Sequence, residues 1–287
     1  MPAQDTLSNL VAQAQAQMER RDYRGAVGSF TLALKIEERA DLLLSRGLLH
    51  YLNRDYAVAI ADFDRALQLE PQNATAYAQR GTAYLRLGEP LRAAADLDEA
   101  IRINPYEDMA YVHRAGLRVS QGDISGALED YAQALKTAPD KGAIYQERAA
   151  LRYNQADYSG AIDDASAALA KNYFRAEVYR TRGSAHAALG LLESAEDDYT
   201  QAITIDRRDA EAFYNRGVVR YRLGDLDAAI RDFAKAIKFQ PQHSAAYFAR
   251  GLAHQERGEM IEARVNFSDV LKRDPEHLRA RHRRALA

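Results

Sequence analysis

The 287-residue sequence contains no cysteine. No disulfide framework can staple it, no thiolate can serve as a nucleophile, and no metal can be held through sulfur. That composition fits a reducing compartment, and a cytoplasmic location is the expectation. An excess of one charge is also missing. Lys and Arg total 39 against 41 Asp and Glu, for a net charge of −2, which gives no global steering toward nucleic acid or an acidic membrane. Long apolar runs are absent too: the most apolar stretch, 42–52, is interrupted by Ser45, Arg46 and His50, so no membrane span is expected. The opening residues show no basic segment followed by an apolar core, so no signal peptide is expected.

The usual signs of chemistry are equally sparse. The seven histidines are scattered, and none forms a pair with the spacing of a helical zinc site. Asp163-Asp164 and Asp197-Asp198 are sequence neighbours; on a helix, adjacent side chains diverge, so neither pair is a catalytic dyad. No Gly-rich phosphate loop occurs. The chain is therefore not read as an enzyme, and no catalytic residue, cofactor or metal is expected.

What is present is repetition. Residues 210–243 show two runs of apolar and small residues at helical spacing, broken by Gly224-Asp225 and stopped by Pro241. Counting Ala210 as place one, the same pattern returns every thirty-four residues. Place eight is Gly47, Gly81, Ala115, Ala149, Gly183, Gly217 and Gly251. Place twenty is Ala59, Ala93, Ala127, Ala161, Ala195, Ala229 and Ala263. Small residues recur where helix backbones must approach closely, and neither helix of a unit could bury its stripe without neighbours.

This period resembles the tetratricopeptide repeat. Small residues at places eight and twenty, an aromatic at twenty-four and Pro at thirty-two carry the resemblance, over about nine-tenths of the chain. It implies an all-α fold: a right-handed α-solenoid, or superhelix, of about eight helix-turn-helix repeats plus a C-terminal capping helix. The boundaries read as a disordered terminus 1–6, a single solenoid 7–277 and a basic capping helix 278–287. The repeats are 7–39, 40–73, 74–107, 108–141, 142–175, 176–209, 210–243 and 244–277.

Local signals refine the units. Asp55, Asp123, Asp157 and Asp225 precede second helices as N-caps, and Glu89-Pro90 takes that role in repeat three. Repeat six has Leu191 there, so its second helix is expected to start late, near Ser194. Repeat five has Ala149 for Gly and Ala165 for the aromatic; either Tyr173 and Phe174 fill the space or the joint is soft. The tail, with four Arg and His282, reads as a cap or as a contact for an acidic partner or a phosphate backbone. No aromatic is interleaved with those arginines, so nucleic acid is not an expected partner.

Three ladders run through the repeats. Tyr77, Tyr111, Tyr145, Tyr179, Phe213 and Tyr247 at place four read as packing between helices. Arg46, Arg80, Arg114, Arg148, Arg182, Arg216 and Arg250 fill place seven, and Asp62, Asp96, Asp130, Asp164, Asp198 and Asp232 fill place twenty-three. Their co-occurrence predicts Arg–Asp pairs between first and second helices, within a repeat or to the previous one.

The resemblance implies that first helices line a concave surface holding a peptide or helix of another protein, through places two, five, six, nine, twelve and thirteen. The candidate residues are Leu44, Leu48, Tyr51, Arg86 and Val112; a polar middle with Tyr153 and Arg180; and Tyr214, Asn215, Tyr221, Arg222 and Phe248. Tyr214, Tyr221 and Phe248 are the expected anchors, with Arg180 and Arg222 fixing orientation. The family's chaperone-binding members carry a Lys/Asn clamp for a carboxylate; only Asn215 matches it, so an acidic chaperone tail is not expected. The expected partner is a protein, as a peptide or amphipathic helix. The alternative is an assembly factor acting through self-association or the convex face.

Overall fold

Among residues 2–287, which the computed structural model describes, there are seventeen helices and no strand. Their contacts sort them into two compact units, Met1–Pro139 and Asp140–Ala287. The units are described in turn. The first holds α1 (Pro2–Glu19), α2 (Tyr23–Ile36), α3 (Ala40–Leu52), α4 (Tyr56–Leu69), α5 (Ala74–Leu87), α6 (Pro90–Ile103), α7 (Asp108–Gln121) and α8 (Ile124–Thr137). The second holds α9 (Gly142–Asn154), α10 (Tyr158–Ala170), α11 (Ala176–Ala188), α12 (Leu192–Ile205), α13 (Ala210–Arg222), α14 (Leu226–Phe239), α15 (Ser244–Glu256), α16 (Met260–Arg273) and α17 (Leu278–Leu286). Of the terminus expected to be disordered, Met1 lies outside the described residues, and α1 already opens at Pro2.

Within each unit, every helix packs on the next in sequence, and the odd-numbered helices also touch one another: α3 with α5, α5 with α7, α9 with α11, α11 with α13, and α13 with α15. In each unit the first helices thus form a wall. Second helices carry the bulk of the core from behind it. Phe63, Phe233 and Phe267 at place twenty-four are fully buried, and each such side chain contributes roughly 2–3 kcal/mol of burial free energy. A Cβ added to Gly217 would lie 2.7 Å from the Phe233 ring, and Gly47 and Gly251 stand at least as close to Phe63 and Phe267.

The turn inside each pair needs a left-handed residue. Gly88, Gly122, Gly190, Gly224 and Gly258 supply it with φ of 76–85°, and Arg54 and Ala156 occupy the same place at 68° and 60°. Asp123, Asp157 and Asp225 then cap through Oδ1, accepting from Gly126, Gly160 and Ala228 N–H at 2.9–3.0 Å. Two expectations fail here. Asp55 makes no side-chain cap bond; its carboxylate lies 3.9 Å from His50 Nδ1, beyond hydrogen-bond distance. The helix after Leu191 starts on time, at Leu192, because its N-terminal turn forms without a capping side chain.

Repeat five is filled by one aromatic, not two. Tyr173 packs on Ala149, Ala165, Ala168 and Val178 and lies directly against Gly142, where a Cβ would collide with it. Phe174 stays 55% exposed. No helix among the described residues is long and apolar enough to cross a membrane.

Candidate functional site

The arginine ladder sets how the first helices stand. In six repeats the place-seven guanidinium donates through Nε and Nη2 to the place-twenty-three carboxylate of its own repeat. These are Arg46–Asp62, Arg80–Asp96, Arg114–Asp130, Arg148–Asp164, Arg182–Asp198 and Arg216–Asp232, at 2.6–3.1 Å. The remaining nitrogen reaches back one repeat. Arg80 and Arg114 Nη1 donate to Asp64 and Asp98 at 2.6 Å, and Arg216 Nη1 to Thr200 Oγ1 at 3.0 Å. The arginine and aspartate ladders thus pair within a repeat, and the contact to the previous repeat goes to place twenty-five, outside the aspartate ladder. The guanidinium also lies over the place-four ring three residues earlier, as with Arg216 5.6 Å from the Phe213 centroid.

A second partner for these carboxylates, at place eleven, was not anticipated. Arg118, Arg152 and Arg220 Nη1, and His186 Nδ1, sit 2.9–3.0 Å from the buried carboxylates of Asp130, Asp164, Asp232 and Asp198. The signal was present in the recurrence of Arg and His there, but a helix wheel alone does not bring places eleven and twenty-three together. These groups are thus occupied by contacts between helices, and the outward side of the wall holds the cavities described next.

In the first unit that side holds a cavity of about 280 Å³, lined by Leu48, Tyr51, Phe63, Ala78, Thr82 and Met109, with Thr75, Gln79, Glu107 and His113 among its polar members. Arg86 Nε donates to Tyr51 Oη at 3.0 Å across its edge. Burial lowers the His113 pKa, and Arg86 adds to that effect, so the ring is held neutral. Gln79 Oε1 is buried without a hydrogen-bond partner. Leu48, Tyr51 and Arg86 therefore come together as expected. Leu44 instead packs inward against Leu43 and Ala66, and Val112 is half-buried beside the cavity without lining it.

In the second unit a cavity of about 410 Å³ is lined by Tyr214, Val218, Tyr221, Arg222, Phe248 and Leu252, with His277 and Arg279. The Tyr214 ring rests 4.6 Å from the His243 ring and 6.1 Å from Phe233; Phe248 rests 5.1 Å from His277 and 5.7 Å from Phe267. Each histidine also caps the next first helix: His243 and His277 Nδ1 accept from Ala246 and Ala280 N–H at 3.3 and 3.1 Å. Burial, reinforced by Glu211, raises the Tyr214 phenol pKa. Tyr221 shares a hydrogen bond with Glu256, and Arg222 Nη1 donates to the Ala187 carbonyl at 3.0 Å. A neighbouring cavity of about 360 Å³ is polar, with Gln146, Tyr153, Glu177, Arg180, Glu211 and Asn215 on its lining. There Arg180 Nε faces Asp209 Oδ2 at 3.2 Å. Gln146 Nε2 donates to Thr181 Oγ1 at 3.0 Å, leaving Gln146 Oε1 buried and unpartnered.

Models of the tetratricopeptide repeat match residues 11–74, 47–115, 183–224 and 210–243, together more than half of the chain. The chain belongs to the tetratricopeptide repeat family. Repeats of this family are protein-interaction modules. The chain is 32% identical over 81 residues to the heat shock protein sti1 homolog of Schizosaccharomyces pombe, covering 28% of this chain and 14% of that protein; the match thus spans a small part of that relative. Among solved structures, the tetratricopeptide repeat protein YrrB superposes with a TM-score of 0.59 at 22% identity, over 66% of this chain and 97% of that one. The C-terminal part of a repeat protein from Cytophaga hutchinsonii gives 0.67 at 14% identity, over 84% and 98%. Both show the same helix-pair fold.

The sequence reading missed His243, His277 and Arg279. The signal available was phase: the tail continues the period, so Arg279 falls at place two of a ninth first helix.

Proposed function

We propose that the first-helix wall of the second unit holds an extended segment or amphipathic helix of a partner protein, without catalysis. Tyr214, Tyr221 and Phe248 serve as anchors, and Arg180 and Arg222 set orientation. The observation that carries this is the aromatic cavity of about 410 Å³ on a wall whose stacking is already satisfied from behind by the second helices. Apolar surface of that kind, with arginine beside it, is the usual form of a binding hot spot. YrrB, which is described as having an unusual peptide-binding site, supports the same use of the fold. The cavity of the first unit, with Leu48, Tyr51 and Arg86, offers a second place for the same or another segment. A cytoplasmic location belongs to this reading and is checked by fractionation.

Tyr214 is packed against Phe233 and His243, so replacing it would test folding along with binding. The cleaner variant is Tyr221→Asp/Leu252→Asp, with helicity checked by circular dichroism. Partners captured by the wild type and lost from this variant support the proposal. Equal recovery on both baits moves the site away from the wall, and recovery of the bait alone, with concentration-dependent mass in solution, makes self-association the function.

A further inference from the structure

The last helix does more than close the stack. Its one buried residue is Ala280, which packs on Tyr247 and Val270, while Leu278 remains 71% exposed. A helix serving only as a lid would turn its leucines inward. Instead α17 continues the phase of the first helices and brings Arg279 to the cavity of Tyr214 and Phe248, and Arg279, His282 and Arg283 to the adjoining cleft with Phe248 and Leu252. Arg222 stands on the same lining.

These three arginines differ from the ladder arginines in their partners. Arg222 donates to a backbone carbonyl and Arg283 Nη1 to Gln255 Oε1 at 3.3 Å. Arg279 has no ion pair among the described residues. One carboxylate, Glu256, accepts from the Tyr221 phenol, on which Arg283 also acts. The rim thus carries three guanidinium groups, none of them in an ion pair among the described residues, and one carboxylate, Glu256, around a floor that is aromatic and aliphatic.

We infer that the occupant of this cavity is a peptide segment with an apolar side chain flanked by acidic ones. The inference rests on reading the first-helix wall as a peptide site. The floor takes the apolar group, and Arg222, Arg279 and Arg283 meet carboxylates bidentately. A basic flank would be repelled, and a neutral one would leave the rim unused. The neighbouring polar cavity carries Glu177 and Glu211, so the preference for acid is local to the α13–α15–α17 end of the wall.

The test uses the full chain and three acetylated, amidated, fluorescently labelled peptides that share a Phe-Leu core and differ in flanking Glu, Gln or Lys. Anisotropy at low ionic strength should show the Glu peptide binding roughly tenfold more tightly than the Gln peptide, and the Lys peptide more weakly than either; added salt should narrow the difference. Arg279→Glu/Arg283→Glu, at two exposed positions, should retain helicity and reverse the order of the Glu and Lys peptides. Equal binding of Glu and Gln peptides, lost on Tyr221→Asp/Leu252→Asp, would overturn the acidic preference and leave the peptide site standing. A Glu preference that survives the charge reversal would overturn the assignment of the rim to α17. Failure of all three peptides to bind at any attainable concentration would overturn the inference and the peptide-site reading together.

Discussion

Arg216 grips Asp232 through two parallel hydrogen bonds, Nε and Nη2 each donating at 2.8 Å, while its Nη1 donates to Thr200 Oγ1 at 3.0 Å on the preceding second helix. One side chain therefore ties three helices. Asp232 also accepts from Arg220 Nη1 at 2.9 Å and is 3% exposed. Desolvation offsets much of the attraction in such a pair, so its presence adds little net stability. Removing one partner is costly because the other is left buried and charged. Asp232→Ala should therefore destabilise by about 3–5 kcal/mol. At the neutral counterpart, where Arg250 Nε donates to Asn266 Oδ1 at 2.8 Å, Asn266→Ala should cost about 1–3 kcal/mol. Urea unfolding of the two variants checks the order.

The approach of first and second helices is closest where place eight is glycine and place twenty-four phenylalanine. Gly217→Ala would force its methyl to 2.7 Å from the Phe233 ring, and overpacking of this kind costs about 1–3 kcal/mol. Gly183→Ala meets Tyr199 at 3.2 Å and should cost less. Pairing Gly217→Ala with Phe233→Leu should recover part of the loss, which a double-mutant cycle on thermal midpoints measures.

Ala156 adopts φ of 60° where five other repeats use glycine. A left-handed alanine carries a steric penalty of about 1–2 kcal/mol. Part of that gain is offset by the greater freedom of glycine in the unfolded chain. Ala156→Gly should raise the unfolding midpoint, with a net gain on the order of 0.5–1 kcal/mol. An unchanged or lowered midpoint would show that the turn is not strained.

His113 gives the first unit a pH dependence. Its folded-state pKa lies below the ordinary value of 6.5, chiefly through burial and secondarily through Arg86. The unfolded chain therefore binds the proton first as pH falls. The contribution of the neutral ring is fully present above about pH 6.5 and is lost as pH drops toward the folded-state value. Thermal melts from about pH 7.5 to about pH 5 should show a loss of stability that His113→Gln diminishes. An identical slope in the variant would place the titration elsewhere.

Much of this fold was legible because repetition multiplies weak signals. A single Gly217 or Ala229 says little, but seven in phase define two helix faces and the turn between them. Tyr221 and Leu48 were legible as wall residues for the same reason, since their places were already tied to the outer side of the first helix. Leu44 and Val112 shared that phase yet point elsewhere, because a half-buried position on the flank of a stripe is assigned by the rotation of the helix in its socket. Asp55 shows the same limit on a smaller scale. Its type and place match Asp225, yet it makes no capping bond.

By itself the sequence determined the period, the helix pairs, the core faces and the presence of matched arginine and aspartate ladders. These follow from residue type and spacing along one chain, which is all that helical periodicity encodes. Only the tertiary structure decided which nitrogen of each arginine serves its own repeat and which the one before. It also brought His243 beneath Tyr214 and Arg279 to the cavity of Phe248. Those relationships depend on the angle and offset between stacked helices, and that geometry is set by the packing of bulky side chains from several repeats at once.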